Sequence, residues 1–101
     1  MQISHRTSDN KAIVSLTGRF DFNAHREFRS AYEEAISGDG IKALEVDLSG
    51  VDYLDSSALG MLLMLKERAS SRNLQLSITH CRDSVKQILE IANFGKLFNI
   101  S

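Results

Sequence analysis

Few side chains in this sequence are placed to do covalent chemistry, and the most suggestive are two adjacent serines, Ser56 and Ser57, directly after Asp55. A serine hydroxyl becomes a nucleophile only beside a base. Neither serine sits in a Gly-x-Ser-x-Gly elbow, and no His or Glu is placed by motif to activate one. His5, His25 and His80 share no metal-ligand spacing, and the single cysteine, Cys81, has no Cys-x-x-Cys partner. His80 and Cys81 are neighbours, so on an extended backbone they point apart, which argues against an activated thiolate. Asp47, Asp52 and Asp55 fall within nine residues. Turn-forming and capping roles account for them at least as well as an acidic metal cluster does. Gly38-Asp39-Gly40 is too brief to cradle a phosphate, and no Gly-x4-Gly-Lys-Ser/Thr run occurs. These residues form no catalytic constellation and imply no metal and no cofactor. The chain is expected not to be an enzyme.

What remains is a hydroxyl that can be modified. Asp and Ser just before an apolar run mark a helix start, because their oxygens accept the otherwise unpaired first backbone N–H groups. The apolar run is Ala58-Leu59-Gly60-Met61-Leu62-Leu63-Met64-Leu65. A phosphate added at its start would lie at the positive end of the helix dipole. Simple capping is the competing role, but no Glu or Gln three residues on completes a capping box. Gly60 inside the helix costs about 1 kcal/mol relative to Ala, which a closely approaching backbone or partner would explain. Tyr53 and Leu54 add apolar groups that a turn does not require. Together these residues suggest a contact surface with a hydroxyl at its centre.

The elements that position this site read as follows. Residues 43–48 alternate and are rich in Leu and Val, a strand expected to end near Ser49-Gly50 in a tight polar turn. The helix after Asp55 should reach Ser70 or Ser71, with Lys66, Glu67 and Arg68 on its wet side and far end. Upstream, residues 2–6 and 12–17 form strand candidates around Ser8-Asp9-Asn10, too close for a crossover and therefore antiparallel. Asn23 is a good N-cap for a helix whose Ala24, Phe28, Ala31, Tyr32, Ala35 and Ile36 share one face, ended by Gly38. Residues 74–79 alternate as a strand, and Arg82 or Asp83 opens a helix striped by Val85, Ile88, Leu89 and Ala92. Residues 94–100 form a short last strand or a loop packed on the core. The expected fold is α/β: a mixed sheet, an opening hairpin then parallel βαβ units, packed by helices.

The 101 residues, 43% hydrophobic and 25% charged, make one ordinary domain over 1–101. A net charge of −1 with scattered Lys and Arg offers no field for nucleic acid. The longest apolar run, 61–65, is far short of the ~20 residues that span a bilayer, so no membrane insertion is expected. The amino terminus lacks the apolar core of a signal peptide, and one cysteine suits a reducing cytosol. A cytoplasmic monomer is expected.

Val46-Asp47-Leu48 through Leu59-Gly60, centred on Asp55-Ser56-Ser57-Ala58-Leu59-Gly60, resembles the STAS domain of bacterial anti-anti-sigma factors, the anti-sigma factor antagonists. The resemblance extends over nearly the whole chain. Thr17-Gly18-Arg19-Phe20-Asp21 is similar to the family's Gly-Glu-x-Asp turn, and Leu89-Glu90-Ile91-Ala92-Asn93-Phe94-Gly95 to its last helix and the element after it. The resemblance implies that Ser56, with Ser57 the alternative, is a phosphoacceptor. It implies that the unphosphorylated domain binds an anti-sigma factor or related switch partner and relieves its inhibition. A serine kinase would turn binding off and a PP2C-type phosphatase restore it. Two departures stand out: Ala58 replaces the commoner Gly, and Arg19 replaces an acidic residue, reversing the charge beside Asp21. Gly18-Arg19-Phe20-Asp21-Phe22 with the run 55–63 is similar to single-domain gamma-proteobacterial members acting in biofilm or motility control. Loops after parallel strands gather at one sheet edge, so the partner surface is expected to combine Asp21, Phe22, Tyr53, Leu54, Asp55, Ser56, Ser57 and Met61. The rival reading is a STAS subunit of a membrane transport assembly, docking through the same helix without phosphorylation.

Overall fold

The computed structural model describes residues 1–100. Strands β1 (Gln2–Ser8) and β2 (Lys11–Phe20) form the opening hairpin, in register from Ser8↔Lys11 to Gln2↔Thr17. Its turn carries Asp9 at φ 57°, a left-handed conformation that Asp tolerates. Then follow α1 (His25–Ile36), β3 (Ala43–Leu54), α2 (Ser56–Ser71), β4 (Gln75–Thr79), α3 (Asp83–Ile91) and β5 (Asn99–Ile100). Among the described residues the sheet is five-stranded in the order β1-β2-β3-β4-β5, antiparallel only between β1 and β2. The mixed α/β sheet is therefore as expected.

Each crossover moves one strand further in the same direction, and right-handed connections of that kind place all the helices on one face. Strand alternation agrees. Ala12, Val14 and Leu16 of β2, Leu44, Val46 and Leu48 of β3 and Ile78 of β4 are fully or almost fully buried toward the helices. Phe20 and Phe28 meet at 5.1 Å between ring centroids, and Phe28 and Tyr32 at 5.2 Å, anchoring α1 to the end of β2. Among the described residues, no helix is long and apolar enough to cross a membrane.

Two boundaries differ from expectation, while the short last strand is present as β5. The first helix begins with a 3-10 turn, Phe22–Ala24, capped by Asp21 rather than Asn23: Asp21 Oδ1 accepts from the Asn23 amide at 3.0 Å. Residues 94–100 divide into a 3-10 turn, Phe94–Lys96, and the two residues of β5. More consequentially, β3 does not end at Ser49-Gly50. The Asp47 carboxylate accepts from the Ser49 amide at 2.9 Å, and the register slips between Ser15 and Thr17 and again between Gly18 and Arg19. At each slip β3 absorbs one extra residue, and pairing resumes as far as Phe20↔Leu54. Ser49-Gly50 is a bulge in a continuing strand.

Gly50 is what permits it. A Cβ there would sit 2.6 Å from Thr17 Oγ1 and 3.0 Å from both Leu16 O and Thr17 Cα. Gly50→Ala is expected to destabilise the fold by about 1–3 kcal/mol, the usual cost of overpacking, measured by urea unfolding.

The other sheet face is largely polar, with Ile13 of β2 buried among its polar neighbours. Lys11 Nζ donates to Glu45 Oε1 at 3.1 Å and Thr79 Oγ1 to Glu45 Oε2 at 2.8 Å, so one carboxylate ties β2, β3 and β4. Burial alone would raise the Glu45 pKa, but the hydrogen bonds from Thr79 and Lys11, with the charges of Lys11 and His80, together outweigh it and hold it below the ordinary value. A depressed carboxylate stabilises the fold above its unfolded pKa, and that contribution disappears as pH falls through the folded one. Glu45→Gln should therefore cost roughly 1 kcal/mol at neutral pH. The gap to the parent chain should close in acid below the ordinary glutamate range, as read by unfolding at a series of pH values.

Candidate functional site

The site grows from the last paired residues of β2 and β3. Phe20 and Leu54 lie side by side and buried, and the Asp55 amide donates to the Phe20 carbonyl at 3.3 Å. Asp21 and Asp55 therefore leave the sheet together, both extended. Asp55 Oδ1 accepts from the Ala58 amide at 2.8 Å, and the Asp55 carbonyl accepts from Leu59 at 3.2 Å, which starts α2. Because Asp55 is the cap, the hydroxyl of Ser56 is not needed for one. Ser56 is the first residue of α2 and is exposed, whereas Ser57 is half-buried.

At the paired ends of β2 and β3, and in the chain leaving them, stand groups of mixed character. The Arg19 guanidinium lies 3.9 Å from the centroid of the Tyr53 ring, and its Nε is 3.5 Å from Asp21 Oδ2. Phe22 is 67% exposed, stacked on His25 with centroids 6.0 Å apart. The structure thus brings Asp21, Phe22, Tyr53, Asp55 and Ser56 to one edge, as the parallel topology requires.

Leu54 and Met61 do not join them at the surface. Leu54 is 3% exposed and Met61 4%, so the expectation that they form an apolar centre for a partner is corrected. Leu54 alternates inward beside Phe20. Met61 falls on the helical face of Ala58, Leu62, Leu65 and Ala69, all buried against the sheet. The exposed apolar groups of α2 are instead Leu63, at 40%, and Met64, at 48%, in line with Ser56 and Gly60. The signal for them was available. Nearly every residue from Ala58 to Leu65 is apolar, yet a helix lying on one side of a sheet buries only one face, so those out of phase with the buried set must face outward. Between α1 and α2 a shallow groove lined by His25, Phe28, Arg29, Tyr32, Met61 and Met64 continues this surface. A Cβ at Gly60 would meet nothing within 4 Å, so no close approach inside the chain explains that glycine.

The remaining chemistry-bearing groups are engaged elsewhere. Burial raises the Cys81 thiol pKa; Lys86 opposes this and Asp47 adds to it, which leaves an unactivated thiol. His80 Nδ1 lies 3.1 Å from Thr79 Oγ1 and 3.6 Å from Asp47 Oδ1. Asp47, Asp52 and Asp55 are spread along β3 and its exit, and among the described residues no three His, Cys, Asp or Glu side chains are grouped to hold a metal.

A family model described as Mlab, STAS domain matches residues 3–99. A STAS-domain containing protein of Pseudomonas aeruginosa strain UCBPP-PA14 is 49% identical over 89 residues, covering 87% of this chain and 85% of that protein. Among solved structures, an anti-sigma factor antagonist from Mycobacterium paratuberculosis superposes with a TM-score of 0.84 at 20% identity, over 98% of this chain and 83% of that one. The phosphorylated Bacillus cell-fate determinant SpoIIAA superposes at 0.73 with 13% identity, over 99% and 91%. A sulfate transporter family protein from Wolinella succinogenes does so at 0.77 with 16% identity, over 90% and 73%. At such identities the solved structures establish the shared fold. The match to the family model, together with the Pseudomonas relative, establishes membership: the chain belongs to the STAS domain family.

Proposed function

We propose that this chain is a phosphorylation-switched binding protein of the anti-sigma factor antagonist type, with Ser56 as phosphoacceptor. The observation that carries the reading is the division of labour at the start of α2: Asp55 makes the cap and Ser56 is left exposed. A phosphate there adds about −1.5 to −2 charges and three acceptor oxygens without removing any native hydrogen bond. The free domain tolerates it at the positive helix end. A partner seated over Phe22, Tyr53, Ser56, Leu63 and Met64 would not, since it would have to desolvate the new charge beside Asp21 and Asp55. A loss of 1.4 kcal/mol is already tenfold in affinity. The partner in this reading is an anti-sigma factor or a serine kinase, with a PP2C-type phosphatase restoring binding, in biofilm or motility control. SpoIIAA, a structural relative, exists in a phosphorylated form, which supports the same use of this fold.

A second reading, docking within a membrane transport assembly without phosphorylation, is favoured by the similarity to the sulfate transporter family protein. Failure to find phosphate on Ser56 in cells under any condition would decide for it.

Phosphopeptide mapping of the native protein should place the phosphate on Ser56, with Ser57 unmodified; the reverse would overturn the assignment. Affinity capture with Ser56→Ala should retain a partner that Ser56→Asp loses. The two variants must also be structurally silent for this test to be read. Asp55→Ala should cost about 1 kcal/mol in urea unfolding, as a lost cap does, while Ser56→Ala and Ser56→Asp should each stay within a few tenths.

A further inference from the structure

We propose that Arg19 is the intramolecular counter-ion of phosphorylated Ser56: on phosphorylation its guanidinium leaves the Tyr53 ring and Asp21 for the phosphate, so the modification also uncovers an aromatic surface. The inference rests on the phosphoacceptor reading above.

The placement comes from the join between β2 and α2. Arg19 directly precedes Phe20, whose carbonyl holds the Asp55 amide, so its backbone is one residue from the hydrogen bond that fixes the chain entering Ser56. Its side chain is directed toward that end of the sheet, because Nε comes within 3.5 Å of Asp21 Oδ2, and Asp21 leaves the sheet beside Asp55. The carboxylates that leave the sheet together here are Asp21 and Asp55; Arg19 and Asp21 share a pocket with the Met1 amino terminus and Glu27, and His25 is stacked on Phe22. A dianion introduced beside Asp21 and Asp55 is repelled unless a cation is drawn to it.

The present hold on Arg19 is of the kind that yields. Its side chain is 64% exposed, and its contact with Asp21 is a single long one made through Oδ2. Asp21 meanwhile spends its other oxygen on the Asn23 amide. Exposed ion pairs of this kind contribute little, whereas a guanidinium meeting a phosphate makes parallel charge-assisted bonds that rank among the strong ones. The Tyr53 ring is a weak competitor beside a dianion. The stack thus holds the guanidinium on the Tyr53 ring in the unphosphorylated chain, one residue from the paired ends of β2 and β3. After phosphorylation, Tyr53 loses its cover and Asp21 its cation, which alters the partner surface beyond the added bulk.

The test uses the full chain with phosphoserine installed at position 56 during translation, so it does not depend on any cellular kinase. Absence of Ser56 phosphate in cells would sink the switch reading and leave this measurement untouched. Phosphorus NMR titration should give the parent chain a second phosphate pKa lower by about half a unit than Arg19→Gln, a threefold difference in proton affinity. Arg19→Lys, which keeps the charge and loses the planar fork, should recover only part of it. The Tyr53 ring protons should shift on phosphorylation in the parent chain and not in Arg19→Gln. Equal phosphate pKa values in the parent and Arg19→Gln chains, or Tyr53 resonances unmoved by phosphorylation, would overturn the proposal.

Discussion

The parallel pairing of β2 with β3, carried through to Phe20↔Leu54 and closed by the Asp55–Phe20 backbone hydrogen bond, is the constraint on which the site depends. It places two loops, distant in sequence, at one sheet edge and sets Asp21 beside Asp55. Pairing resumes after the first of the two register slips because Gly50 lies flat against Thr17, so a residue with no part in the surface helps to determine where Ser56 emerges. The cap follows from the same geometry. Asp55 arrives extended, turns its carboxylate onto the Ala58 amide, and frees the next residue from structural duty.

The α2 helix serves two purposes on two faces. Ala58, Met61, Leu62, Leu65 and Ala69 bury against the sheet, while Gly60, Leu63 and Met64 face outward in line with Ser56. Apolar residues exposed in a row on a small domain are the usual mark of a contact surface. Gly60 weakens the helix without any packing return inside the chain, which is consistent with a close approach from outside. Asp21, Asp55 and Arg19 lie toward the end of this strip where Ser56 begins the helix, so in the proposed reading a change of charge there would fall at the rim of the apolar surface.

Much of this was legible in the sequence because local signals and topology agreed. The hairpin around Asp9-Asn10, the strand and helix order and the start of α2 at Asp55-Ser56 follow from turn residues, alternation and capping chemistry. The family resemblance rested on the same stretch. What was not legible depended on contacts across strands. Ser49-Gly50 carries a turn signal, yet tertiary pairing converts it into a bulge, since Thr17 on the neighbouring strand is invisible to a local reading. Asn23 is a good cap by type, but the chain enters α1 through a 3-10 turn and Asp21 takes the role. Leu54 and Met61 belong to the segments that the parallel topology brings to this edge, which by itself does not say which way their side chains face. Their burial follows from strand alternation and helical phase, and the same phase argument points to Leu63 and Met64.

The claim that partner docking centres on Ser56 is tested most directly by amide chemical-shift mapping of the full chain with the captured partner, unphosphorylated and with phosphoserine at position 56. The predicted result is perturbation at residues 19–25, 53–57 and 60–64 for the unphosphorylated chain, and none at the same partner concentration for the phosphorylated one. Perturbations confined to α3, with Asp21 and Ser56 silent and no effect of the phosphate, would contradict it.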